Sequence, residues 1–150
     1  MRIMLTGLLL AGLFVFSAPA GEGWPTDFDK AKKEAAEKKL PILADFSGSD
    51  WCGWCIRLDK EVFSKKEFKA FAKDNMVLFV ADFPHKKKLP AAVQAQNEQL
   101  GKTYGVKGLP TVLLLDAGGK VIARTGYRRG GPGAYVDYLK TLLKQNPGNK

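Results

Sequence analysis

Only two cysteines occur in the 150 residues, three positions apart at Cys52 and Cys55. So close a pair cannot tie distant parts of a fold together, which excludes a disulfide-stapled scaffold and makes the pair's value chemical or very local. Histidine is scarcer still, with His85 alone, and a four-ligand zinc site falls short within one chain. The apolar run Ile3–Phe16 covers 14 residues and is broken by Thr6 and two glycines, short of the ~20 that a membrane-spanning helix needs. There is no internal repeat and no low-complexity segment. Lys and Arg outnumber Asp and Glu by 24 to 15, for a net charge of +9. Such a charge can favour acidic partners, anionic lipid or nucleic acid. No basic stripe interleaved with aromatics and no nucleic-acid motif accompanies it, so the lysines read as a solvated surface and nucleic acid is not expected as a partner.

What is present fits one domain with one core: 150 residues, 45% of them hydrophobic,. The chain opens with a basic Arg2, the short apolar run, and Ser17-Ala18-Pro19-Ala20, small residues at the positions a signal peptidase reads. Residues 1–20 are therefore expected to be a cleaved secretory signal, with an uncleaved membrane anchor as the alternative. Residues 21–150 then form the domain, in the periplasm or outside the cell. Cleavage removes Arg2 and no acid, leaving the remainder strongly basic.

After a short linker at Gly21–Pro25, Thr26 can cap a helix running to about Lys39, with Asp27 and Asp29 in the first turn where the helix dipole favours acids. Ile42–Phe46 reads as a buried strand holding one acid, Asp45. Ser47–Asp50 is a turn, and a helix begins near Cys52 and runs towards Val62. Ser64-Lys65-Lys66-Glu67 has the form of a capping box opening another helix, with Phe68, Phe71 and Ala72 inward. Met76–Phe83 is a second buried strand, Pro84–Pro90 a basic loop, and Ala91–Tyr104 a helix with Val93, Leu100 and Tyr104 on one side. Thr111–Leu115, a turn at Asp116–Gly119, and Val121–Tyr127 make a hairpin. Gly130–Gly133 breaks the chain, and Tyr135, Tyr138, Leu139, Leu142 and Leu143 form the apolar stripe of a last helix. The order α, β, α, β, α, β, β, α predicts an α/β fold: a mixed central sheet of about four strands flanked by helices.

Cys52-Gly53-Trp54-Cys55 follows a strand and opens a helix. Backbone N–H groups are unpaired there and the helix dipole is positive, so a thiolate at Cys52 is stabilised and its pKa lowered. Cys55, one turn further in, can attack a mixed disulfide formed at Cys52. Gly53 allows close approach, and Trp51 and Trp54 flank the sulfurs with apolar surface. A structural disulfide is one alternative, though so short a loop constrains the unfolded chain little. Copper handling is another, since a soft Cu(I) ion can manage with two thiolates. His85 reads as a loop residue beside Lys86–Lys88. Asp45 is costly if buried and ionised; desolvation would raise its pKa and suit it to carrying protons near thiols, unless the strand end turns it to solvent. Gly108-Leu109-Pro110-Thr111 places a proline where a strand begins and needs no ladder donor. A cis bond there would bare backbone polar groups for an extended partner, but sequence physics alone favours trans.

Taken together, Ala44-Asp45-Phe46, Trp51-Cys52-Gly53-Trp54-Cys55 and Tyr104-Gly105-Val106-Lys107-Gly108-Leu109-Pro110-Thr111 resemble the thioredoxin superfamily across about residues 40–145, and Gly126 falls where that family places a glycine. Gly48-Ser49-Asp50-Trp51-Cys52 looks like exported bacterial thioredoxin-like proteins in particular. The resemblance implies a thioredoxin-like fold with Cys52 as nucleophile, Cys55 as resolving thiol, Asp45 as the buried acid and Pro110 as a cis-proline beside the site. It also implies that Leu109 and Thr111 border the substrate groove. The chain departs from the pattern in five respects. One extra residue separates Asp45 from Cys52, Trp54 replaces the common inter-cysteine proline, Val77–Val80 carries no lysine to face the acid, the usual first strand is absent or replaced by the helix at 26–39, and Phe83–Leu100 is expanded, which can add a docking surface.

The leading expectation is a periplasmic thiol–disulfide exchanger, a monomer without cofactor or metal, acting on protein thiols and disulfides. The reductase or isomerase direction is favoured because no histidine sits between the cysteines to stabilise the Cys52 thiolate further. In an oxidising compartment a reductase needs an electron donor, and a membrane thiol relay would serve. The alternatives are a non-catalytic module of the same fold that binds copper or a partner protein, and a plain binding domain with an inert disulfide. His85–Lys88 can dock an acidic partner, solvation being the default.

Overall fold

The computed structural model describes residues 23–147. The expected signal segment at 1–20 lies outside the described residues. Strand β1 (Ile42–Ser47) is buried along its whole length. It lies between β2 (Val77–Asp82), which is parallel to it, and β3 (Thr111–Leu115), which is antiparallel. Strand β4 (Val121–Thr125) completes the hairpin, giving the order β2-β1-β3-β4. A strand covered on both faces reads as an almost continuous apolar run, as Ile42–Phe46 does. Helices α1 (Phe28–Lys38), α2 (Gly53–Leu58), α3 (Lys66–Asn75), α4 (Ala91–Thr103) and α5 (Gly131–Gln145) flank this mixed sheet, as the α/β reading expects.

Side chains alternate across a strand, so β1 feeds two cores. Ile42, Ala44 and Phe46 join Phe28, Ala31 and Ala35 of α1 and Phe79 and Leu113 on one face. Leu43 joins Leu58, Phe63, Phe68, Tyr135 and Leu139 on the other, against α2, α3 and α5. Asp45 shares the parity of Leu43, so it points to the face that carries α2.

Several local expectations are corrected. Asp27, not Thr26, caps α1, accepting a hydrogen bond from Lys30 N at 3.0 Å. Thr26 instead offers its carbonyl to Gln96 Nε2 at 2.8 Å. The Ser64 capping box does not form: Ser64 ends a π-helical turn (Asp59–Phe63) that continues α2, its hydroxyl bonds the Lys60 carbonyl, and Lys65 precedes α3 without a side-chain cap. The described end of the expected linker is built into the fold. Trp24 is buried against Phe63 and Phe68, and Val80 N donates to the Pro25 carbonyl at 3.0 Å, along the free edge of β2. Among the described residues no strand precedes α1. Helix α4 docks through Leu100, with Tyr104 just beyond its end, as expected, and also through Asn97, fully buried with its Nδ2 on the Asp82 carbonyl at 3.0 Å, while Val93 is only half-buried. Helix α5 starts inside the Gly130–Gly133 segment, at Gly131.

The α1 cap yields a direct test. Asp27→Ala should cost about 1 kcal/mol of stability, while Thr26→Ala, which spares the backbone carbonyl used by Gln96, should be near neutral in chemical denaturation. Equal losses would return the cap to Thr26.

Candidate active site

The two pairing directions of β1 bring three segments to one end of the sheet. Parallel register sets Ser47 beside Asp82, so the chain leaving β2 starts there. Antiparallel register sets Phe46 beside Thr111, so Pro110 enters β3 there. Between them β1 itself runs into Gly48–Trp51 and then Cys52. Sites separated by nearly sixty positions in sequence, Cys52 and Pro110, thus share one edge, and the Leu109–Pro110 peptide bond is cis.

Cys52 and Cys55 form a disulfide, their Cα atoms 5.2 Å apart. Cys52 is the N-cap of α2, and its Sγ accepts from Cys55 N at 3.3 Å. The Cys55 sulfur accepts from Gly48 N at 3.4 Å. Both are buried, yet their surroundings are open and apolar: Trp51, Trp54 and Ile56 are 44%, 50% and 46% exposed. Exposed aromatic and aliphatic side chains gathered at one place mark an interaction surface. Trp54 rests on Tyr127 at 5.0 Å, and Arg57 lies over both rings. Tyr127 donates to Glu61 at 2.6 Å and Arg57 pairs with the same carboxylate, and these two contacts hold Glu61 below the usual carboxylate range.

Leu109 borders a cavity of about 670 Å³ together with Trp51, Phe83 and Val106. Thr111 is buried, its hydroxyl bonded to the Gly108 carbonyl at 2.6 Å. Gly126 has a local reason: a Cβ there would stand 3.1 Å from the Pro110 carbonyl oxygen. Gly53 faces open space.

Asp45 lines a second cavity, of about 660 Å³, with Cys55, Asp59 and Asp82. Its Oδ1 is buried without a hydrogen-bond partner among the described residues. Burial raises its pKa from 3.8 to about 7, and the charges of Asp59 and Asp82 push the same way. The strand end does not turn this carboxyl to solvent.

One part of the site had no local signal. The turn after β1 is fastened to residues 82–87 by side chains some 35 positions away. Ser49 gives Asp82 two hydrogen bonds, from N at 2.9 Å and from Oγ at 2.6 Å. Lys87 pairs with Asp82 at 3.1 Å. The Asp50 carboxylate accepts from the backbone N–H groups of His85, Lys86 and Lys87, which lower its pKa, His85 most. Trp51 Nε1 donates to the Phe83 carbonyl at 2.7 Å, and the indole stacks on His85 at 4.3 Å and 3°. His85 and the lysines after it read in sequence as a solvated loop; the loop's backbone is instead wrapped around an acid.

The family model for a thioredoxin-like domain matches residues 28–140. The chain belongs to the thioredoxin-like family. It is 36% identical over 127 residues to the disulfide bond reductase DsbH of Chlamydia pneumoniae, which spans 85% of this chain and 76% of that protein. A solved DsbH oxidoreductase structure superposes with a TM-score of 0.78 at 33% identity, covering 93% of this chain and 95% of that one. The thiol:disulfide interchange protein DsbD of Cronobacter sakazakii is 33% identical over 119 residues, 73% of this chain but only 19% of that protein. Within the family this chain is a thioredoxin-like disulfide oxidoreductase, with Cys52 and Cys55 as its disulfide-forming pair. Among the described residues no helix is long and apolar enough to cross a membrane.

Asp45 gives this thioredoxin-like protein a pH signature. In the unfolded chain the carboxyl ionises near 3.8, in the folded chain near 7. Between these values the native state binds more protons, so stability falls as pH rises. Asp45→Asn removes that loss and should stabilise the protein by a few kcal/mol at pH 8 (on the order of 1.4 kcal/mol per pKa unit), with little gain at pH 4. Urea unfolding at the two pH values checks this; an equal effect at both would rule out a raised pKa.

Proposed function

We propose that this protein is a thiol–disulfide reductase or isomerase of the bacterial cell envelope, exchanging disulfides with protein substrates. The observation that carries the reading is the Cys52 sulfur at the start of α2, bonded to Cys55 and ringed by exposed Trp51, Trp54 and Ile56. In the reduced protein the Cys52 thiolate attacks a substrate disulfide, forming a mixed disulfide and releasing one substrate thiolate. The Cys55 thiolate then attacks Cys52 Sγ, which closes Cys52–Cys55 and releases the second substrate thiolate. Two electrons pass from the cysteine pair to the substrate. Asp45, in the cavity that Cys55 also lines, carries the proton that Cys55 gives up, a role suited to a pKa near neutrality,.

The substrate's extended segment lies against Leu109, Pro110 and Thr111, with Trp51, Gly53 and Trp54 beneath it. The name of DsbH, a disulfide bond reductase, supports the reducing direction, as does the absence of histidine between the cysteines. The signal-like residues 1–20 support an envelope location. An oxidising compartment drains the reduced form, so a membrane thiol relay is the proposed electron donor.

Replacing the resolving thiol isolates the first step. Cys55→Ser should accumulate a stable mixed disulfide with a protein substrate, seen as a reductant-sensitive band on a gel, whereas Cys52→Ser should form none and lose exchange to background. Cys52 in the reduced protein should also be alkylated by iodoacetamide at pH 7 at least several-fold faster than glutathione. Failure of Cys55→Ser to trap any substrate, with ordinary alkylation at Cys52, would defeat the exchange reading.

A further inference from the structure

We infer that Asp50 is a positioning residue of the exchange site: it holds residues 85–87 against the cysteine turn and so sets Trp51 before a partner arrives. The inference rests on the exchange reading and adds to it a residue outside the cysteine pair.

Asp50 directly precedes Trp51 and Cys52. Its Oδ1 takes the His85 N–H at 2.9 Å, and its Oδ2 takes those of Lys86 and Lys87 at 2.7 and 3.2 Å. Three successive backbone donors converging on one carboxylate form an anion nest, and hydrogen bonds to an ionised acceptor are the strong kind. The consequence falls on the next residue. With the loop drawn in, His85 lies flat under the Trp51 ring and Trp51 Nε1 donates to the Phe83 carbonyl. On another side Gly48 leaves room for the indole, since a Cβ there would come within 2.6 Å of it. An indole that is 44% exposed is therefore held by both its ring and its N–H. It forms one wall of the cavity that Leu109 also lines.

A wall fixed in advance spares a partner the cost of ordering it on binding. The sulfurs keep their own tethers: Cys52 N bonds the Gly48 carbonyl at 2.8 Å, and Gly48 N bonds Cys55 Sγ. Ser49 still reaches Asp82. Loss of the Asp50 charge should therefore weaken partner binding and leave the chemistry at sulfur in place.

The test compares wild type with Asp50→Asn on two substrates: insulin as a protein disulfide, turned over with dithiothreitol as reductant, and 5,5′-dithiobis(2-nitrobenzoate) as a small one, mixed in a single turnover with protein reduced beforehand and freed of dithiothreitol. For insulin, KM should rise about 3- to 10-fold while kcat stays within about twofold. The rate with the small disulfide, which needs no groove, should also stay within about twofold. His85→Ala removes only the stacking partner and should show the same split to a smaller degree; it carries the test alone if Asp50→Asn does not fold. An unchanged KM for insulin, or a fall in kcat for insulin matched by a fall in the rate with the small disulfide, overturns the positioning role. A wild-type protein inert to both substrates overturns the exchange reading itself, and this inference with it.

Discussion

Strand β1 pairs in two directions at once, and the site exists because of that. A parallel neighbour delivers its carboxyl end to the end of β1, and an antiparallel neighbour delivers its amino end there. The same edge thus receives the exit of β2 at Asp82, the entrance of β3 at Pro110 and the chain's own turn into Cys52. Burial of β1 on both faces makes this register costly to shift, because a slip by one residue would move every side chain to the other core. The apolar contacts of Leu43 and Phe46, in two cores that include neither cysteine, thus keep Pro110 and Cys52 at the same end of the sheet.

The same parity explains the one acid in the strand. Asp45 sits in phase with Leu43, on the α2 face, and opens into the cavity lined by Cys55. At this position an apolar residue would suit the packing better, and an ionised carboxyl with an unpartnered oxygen is expensive,. The protein lowers that expense by raising the pKa, with Asp59 and Asp82 adding repulsion instead of relief. A lysine would compensate the charge, but Val80 stands opposite Asp45 in the register. The result is a group poised to exchange a proton near neutral pH, at a lasting cost in stability above it.

What could be read from the residues beforehand follows the range of the interactions. The buried strands, the hairpin and the helix opening at Cys52 are each set by patterns within a dozen residues, and the periodicity of Tyr135–Leu143 placed α5 although not its start. The Cys-Gly-Trp-Cys segment was legible because its chemistry depends on spacing and on a helix end, both local. Capping was misread at Ser64 because the preceding helix runs on as a π-helical turn and uses that serine as its stop. The docking role of Asn97 has no local signal, since nothing nearby in sequence shows that the Asp82 carbonyl needs a donor. The hold of Asp50 on residues 85–87 was illegible for the same reason: a carboxylate and three backbone N–H groups leave no pattern when 35 residues intervene.

That hold also changes what the basic loop means. A run of one histidine and three lysines reads as charge, and charge on a flexible loop is screened and weakly directional. Here the directional part is the backbone. Its N–H groups face the acid, Lys87 turns back to Asp82, and His85 serves as a flat aromatic support for Trp51. The loop therefore joins the rigid part of the site, next to sulfurs that must remain reachable. Thiol exchange needs both properties, because an incoming disulfide must align with the attacking sulfur before the leaving group departs. Asp50 supplies rigidity one residue from Trp51 and two from Cys52, without touching either sulfur.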